Sequence, residues 1–137
     1  MTVRQYMKKN VVSLPSSATL LEAARMMKEK HIGSMIIEDS LKVKGILTDR
    51  DIALAVAAAG KDPSSTCVCD IMRDPVTIDI DADLDSALKI MNRASVRRLP
   101  VLENGKLIGV ISHADIASAM NEVISQFMAL EETYTRA

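Results

Sequence analysis

The sequence predicts an α/β fold, α+β under stricter schemes, built as two tandem β-α-β-β-α units. Three observations carry that expectation. The chain resembles itself at an offset of 64 residues, each half alternates short strand-like runs with helical i, i+3, i+4, i+7 apolar spacing, and a polar stretch containing Pro63 separates the halves.

The offset pairs Val12 with Val76, Leu20 with Leu84, Ala23 with Ala87, Met27 with Met91, Gly45 with Gly109, Asp51 with Asp115 and Ile52 with Ile116. A unit repeated at a fixed period usually cannot cover its own apolar face, so the copies are expected to pack on each other. The expected division is a first repeat over 1–60, a linker over 61–66 (KDPSST), a second repeat over 67–122 and a C-terminal helical extension over 123–137.

Each copy opens with a short strand, Val11 to Leu14 and Val76 to Ile78. A helix follows, with Leu20, Ala23, Ala24 and Met27 on one face in the first copy and Leu84, Ala87, Leu88 and Met91 in the second. Thr19 and Glu22 form a capping box for the first of these. Two strands come next, Ser34 to Glu38 with Lys42 to Leu47, then Arg98 to Glu103 with Lys106 to Ile111. Asn104-Gly105 is a hairpin turn, since both residues tolerate positive φ. The first copy's turn falls around Asp39-Ser40. The last helix of the first copy carries Ile52, Ala55, Val56 and Ala59 and stops at Gly60. Its counterpart carries Ile116, Ala119, Met120, Val123, Ile124, Phe127 and Met128, about two turns more. That unmatched apolar tail either folds over the core or meets another subunit.

Composition narrows the functions. With 17 basic against 18 acidic side chains, no global field draws the chain to nucleic acid or membrane. The only aromatic residues are Tyr6, Phe127 and Tyr134, so stacking platforms for single-stranded nucleic acid are missing. The start lacks the apolar run of a signal peptide and the longest apolar stretch, Ile52 to Ala59, is too short to span a bilayer, so a cytoplasmic location is expected. No nucleophile stands beside an evident base and no Walker-type loop exists, so catalysis is not expected. The run DIDADLD at 79–85 lacks the glycine and distal glutamate of a calcium loop and reads as a solvated helix start. Cys67-x-Cys69 lacks the paired spacing of a zinc site, leaving a linker, a metal or a redox role open.

Thr48-x-x-Asp51 and Ser112-x-x-Asp115 fit helix capping boxes. The same geometry also suits a ligand. Helix N-terminal amides attract phosphate, while an ionised aspartate accepts hydrogen bonds from two neighbouring ribose hydroxyls.

TDRDI at 48–52, VRRLPV at 96–101 and GVISHADI at 109–116 together resemble a tandem CBS-domain pair, or Bateman module, over about Val3 to Met120. The resemblance implies two units around a pseudo-twofold axis with clefts that bind adenosine compounds: AMP, ADP, ATP, S-adenosylmethionine or NAD. It assigns Asp51 and Asp115 to ribose and Thr48 and Ser112 to the neighbourhood of the phosphate. Ile46 and Val110 would press on adenine, and Val12 and Val76 are counted with the binding residues. Arg97 and Arg98, Arg97 foremost, would meet phosphates. The first copy has Gly33 and Ser34 there, so its charge must come from Arg50 or a neighbour. His113 replaces Asp49, so the two sites are expected to differ. The implied function is a non-catalytic sensor with no required cofactor, an adenine nucleotide as regulatory ligand, a homodimer through the repeat helices, and output on a partner in trans. The competing reading is an interaction module with degenerate pockets, metal- or redox-responsive through Cys67 and Cys69.

Overall fold

The computed structural model describes residues 1–136. The order is α1 (Val3–Tyr6), β1 (Ser13–Leu14), α2 (Leu20–Lys30), β2 (Ser34–Asp39), β3 (Lys42–Thr48), α3 (Asp49–Ala53), β4 (Ile78–Asp79), α4 (Leu84–Ala94), β5 (Arg98–Glu103), β6 (Lys106–Ser112) and α5 (His113–Arg136). A π-helical turn, Leu54–Ala58, continues α3, and a 3₁₀ turn, Val68–Asp70, ends the linker. The strands form two three-stranded sheets, β1-β2-β3 and β4-β5-β6, each with a parallel first pair and an antiparallel second. The expected α/β architecture of two β-α-β-β-α units is therefore present.

The first strand of each unit is shorter than expected, because only Ser13 and Leu14 pair with Ile36 and Ile37, and only Ile78 and Asp79 with Val101 and Leu102. Val12 and Val76 precede the ladder and turn toward the cavity described below. Helix α2 buries Leu20, Ala23 and Met27, and α4 buries Leu84, Ala87 and Met91. Leu88, expected on the buried face, is 42% exposed beside Ile116 and Met120. The capping box of Thr19 and Glu22 forms, and Asp83 caps α4 by accepting the Ser86 amide at 2.7 Å. After α3 the wider π turn shifts the apolar stripe, so Ala55 is buried, Val56 half-buried and Ala59 exposed before Gly60 ends the segment at φ +72°.

Asn104 and Gly105 take φ of 52° and 77°, as a hairpin turn of the primed type requires. The first hairpin turns on Ser40 and Leu41, at 50° and 67°, one residue later than expected. Glu38 holds it by accepting the Leu41 amide at 2.7 Å, and the Leu41 carbonyl accepts the Leu107 amide at 2.8 Å from the other repeat.

Two apolar cores form, one under each sheet, and the chain exchanges segments between them. Val3, fully buried on α1, belongs to the second core with Ile78, Leu84, Leu99 and Ile111. Val68, equally buried, belongs to the first with Leu14, Leu20, Ile37 and Leu47. Backbone bonds fix the exchange: Val3 N–H donates to Ala82 at 2.9 Å, and Val68 N–H to Ala18 at 2.8 Å. Each repeat's lead-in thus completes the other's core.

Candidate functional site

The motif glycines explain how the lead-ins reach the site. A Cβ on Gly109 would sit 2.6 Å from the Lys8 carbonyl oxygen, and one on Gly45 would sit 2.6 Å from Met72 Sδ and 2.8 Å from the Arg73 carbonyl. Only glycine lets another backbone cross so closely. The crossing is sealed by paired bonds, Ile46 with Arg73 at 3.0 and 2.8 Å and Val110 with Lys8 at 2.9 and 2.8 Å.

Between the repeats lies a cavity of about 590 Å³, within the usual range for small-molecule sites. Its aliphatic wall includes Val12, Ile46, Val76 and Val110, with Ile36, Val96 and Pro100. Thr48, Arg97 and Arg98 also line it, so seven of the twelve residues expected at a ligand meet there. Arg50, Asp51, Ser112, His113 and Asp115 are not among its lining residues.

The two aspartates instead serve their own helices. Asp51, 9% exposed, accepts the Thr48 amide at 3.0 Å while Thr48 Oγ1 accepts the Asp51 amide at 3.1 Å. Asp115 accepts both the Ser112 amide, at 2.8 Å, and its hydroxyl, at 3.0 Å. Each carboxylate also faces a cation from the lead-in. Arg73 grips Asp51 Oδ1 from Nε and Nη2 at 3.0 and 2.7 Å, whereas Lys8 stands 3.7 Å from Asp115. Burial alone would push the Asp51 carboxyl up, but Arg73 and Thr48 outweigh it and hold the group below its ordinary value.

Charges of both signs line the cavity, Asp49 and Asp74 with Arg73, Arg97 and Arg98. His113 is exposed and holds the strand end through its amide, which donates to the Arg97 carbonyl at 2.8 Å, as the Asp49 amide does to Gly33 at 2.9 Å. Arg50 is exposed on α3 and supplies no charge to the cavity wall. Sequence reasoning missed Arg73. Met7-Lys8 and Met72-Arg73 repeat at an offset of 65 residues, one more than the rest, and that slip hides the correspondence.

Cys67 and Cys69 are joined in a disulfide beside buried Val68. Among the described residues no three His, Cys, Asp or Glu side chains converge as a metal site, and no helix is long and apolar enough to cross a membrane.

The CBS domain model matches twice, over residues 3–58 and 68–122. The chain belongs to the CBS-domain family. Its CBS pair is 36% identical over 130 residues to Hypoxic response protein 1 of Mycobacterium tuberculosis, covering 93% of this chain and 91% of that protein. A crystal structure of that protein with two coordinated zinc ions superposes with a TM-score of 0.81 at 35% identity, over 87% of this chain and 98% of the other. The CBS pair of protein MJ0100, solved with 5′-methylthioadenosine and S-adenosylmethionine, shares the fold at TM-score 0.76 and 24% identity, over 89% and 97% of the two chains. CBS pairs are regulatory modules, and this chain carries one.

Proposed function

We propose that this CBS pair is a sensor that binds an adenosine-type ligand in the cavity between its repeats. The single observation carrying the reading is the cavity's composition: aliphatic walls of the right size for a purine, with Arg73, Arg97 and Arg98 among the lining residues. Adenine would lie among Val12, Ile46, Val76 and Val110, burying apolar surface without any aromatic platform. Phosphates would lie toward Arg97 and Arg98, since guanidinium forks match phosphate oxygens. For Asp51 to accept ribose hydroxyls, Arg73 must leave it, and an anionic ligand offers Arg73 a replacement partner. The fold holds methylthioadenosine and S-adenosylmethionine in MJ0100.

Binding would bias the packing of the repeats, or their homodimer, through different affinity for two arrangements, with output on a partner in trans. No catalytic role is assigned. Thermal unfolding with AMP, ATP, S-adenosylmethionine and NAD tests the reading. A ligand at a hundred times its dissociation constant should add about 2.7 kcal/mol of stability. Arg97→Ala should weaken ATP and AMP and spare S-adenosylmethionine. A melting curve unmoved by all four would overturn the proposal.

The second reading, a redox-responsive interaction module, draws on the Cys67–Cys69 disulfide within the lead-in segment that also carries Arg73. It gains if a dithiol reductant shifts the melting curve and no nucleotide does.

A further inference from the structure

Helix α5 runs for 24 residues, about 36 Å, but touches the body only over its first turns. Ile116 and Ala119 are buried, and Tyr6 donates to Glu122 at 3.2 Å. Every residue from 121 to 135 is exposed. From residue 123 on, that segment lies beyond the matched CBS repeats, which end at residue 122.

Its apolar residues are nonetheless ordered. Ile116, Met120, Val123, Phe127, Leu130 and Tyr134 follow one another at alternating steps of four and three. This is the spacing of a helix that pairs along a seam with another helix. Exposure rises along it from 39% at Met120 through 58% at Phe127 to 72% at Tyr134. A projecting helix of this length gains little from backbone propensity alone and depends on covering such a face.

We propose that residues 120–135 of α5 pair with the same residues of a second copy of this chain, in a contact additional to the CBS repeats. Three features favour a second copy. The seam is self-complementary, so two identical helices can interleave it. Met120, Val123, Ile124, Phe127, Met128, Leu130 and Tyr134 offer on the order of 100 Å² apiece, which brings a symmetric pair to roughly 1,400 Å², within the range of stable interfaces. The flanking positions Ile124, Gln126, Glu131 and Thr133 carry one charge between them, so two copies meet little repulsion. A lipid surface fits less well, since residues 121–135 contain no Lys or Arg to meet its headgroups.

Sedimentation equilibrium of the full chain tests this, with circular dichroism confirming that each variant folds. Wild type should dimerise, and Phe127→Glu with Leu130→Glu should weaken the dimer by at least about a hundredfold. Ser125→Glu, off the seam, should leave it intact. A monomeric wild type, a dimer indifferent to the paired Glu substitutions, or a monomer captured by phosphatidylcholine–phosphatidylglycerol vesicles would overturn the proposal, and none of these results bears on ligand binding in the cavity.

Discussion

Arg73 donates twice to one oxygen of Asp51, from Nε at 3.0 Å and Nη2 at 2.7 Å, and so ties the second repeat's lead-in to the start of α3. The carboxylate is buried, while the Arg73 side chain is 61% exposed. The bond therefore neutralises an acid inside the fold with a cation that water can reach. In the second repeat Lys8 stands 3.7 Å from Asp115 and forms no such fork. The two repeats share a backbone plan and differ in how firmly each acid is held.

Arg73→Gln should lower stability by about 1–3 kcal/mol, because the Asp51 carboxylate loses its charged donor while staying buried. Adding Asp51→Asn should cost less than the sum of the two single changes, as the pair acts as a unit. Urea unfolding of the four proteins measures both, and strict additivity would show that the two side chains are energetically independent.

Acid should reveal the same bond. The folded Asp51 carboxyl lies below its ordinary value of 3.8, so in that window the folded state binds fewer protons than the unfolded one. Its contribution is full above 3.8 and is lost as the pH falls through the depressed value. Wild type should therefore lose more stability than Asp51→Asn on acidification below pH 3.8. Parallel curves for the two proteins would contradict this.

Gly109→Ala should destabilise by about 1–3 kcal/mol, since the new methyl meets the Lys8 carbonyl and the lead-in must move away. Gly45→Ala meets the Arg73 carbonyl in the same way. Amide exchange at Lys8 and Val110 should quicken in the first variant, and at Ile46 and Arg73 in the second. Unchanged protection would mean the crossing tolerates a side chain.

The exchange of lead-ins predicts a crossed pattern. Val3→Ala should cost about 1–3 kcal/mol and loosen the second repeat, around α4 and β5. Val68→Ala should cost a similar amount and loosen the first, around α2 and β2. Hydrogen exchange distinguishes the two, and loosening of the nearest repeat in sequence would reject the exchange.

Much of this was legible in the chain itself. The doubling, the two amphipathic helices, the Asn104-Gly105 turn and the capping pairs are local patterns, set by backbone geometry and the spacing of apolar residues. The Ser40-Leu41 turn was displaced by one position because neither residue advertises positive φ. Leu88 and Ala59 fit their helical stripes but met no partner, since periodicity names a face and cannot say how much of it a neighbour covers.

For the site, Ile46, Val110, Arg97 and Arg98 could be named from the resemblance to a CBS pair, and Val12 and Val76 also match across the repeat, whereas the first copy has Gly33 and Ser34 in place of the arginines. Only the tertiary structure decided that Arg73 reaches Asp51, that neither motif aspartate lines the cavity, and that each lead-in crosses to the opposite core. These are contacts between residues far apart in sequence, or on segments whose register slips by one residue. Sequence fixes which groups a chain can offer; the packing of one half on the other selects which of them meet, through distances that no local rule contains.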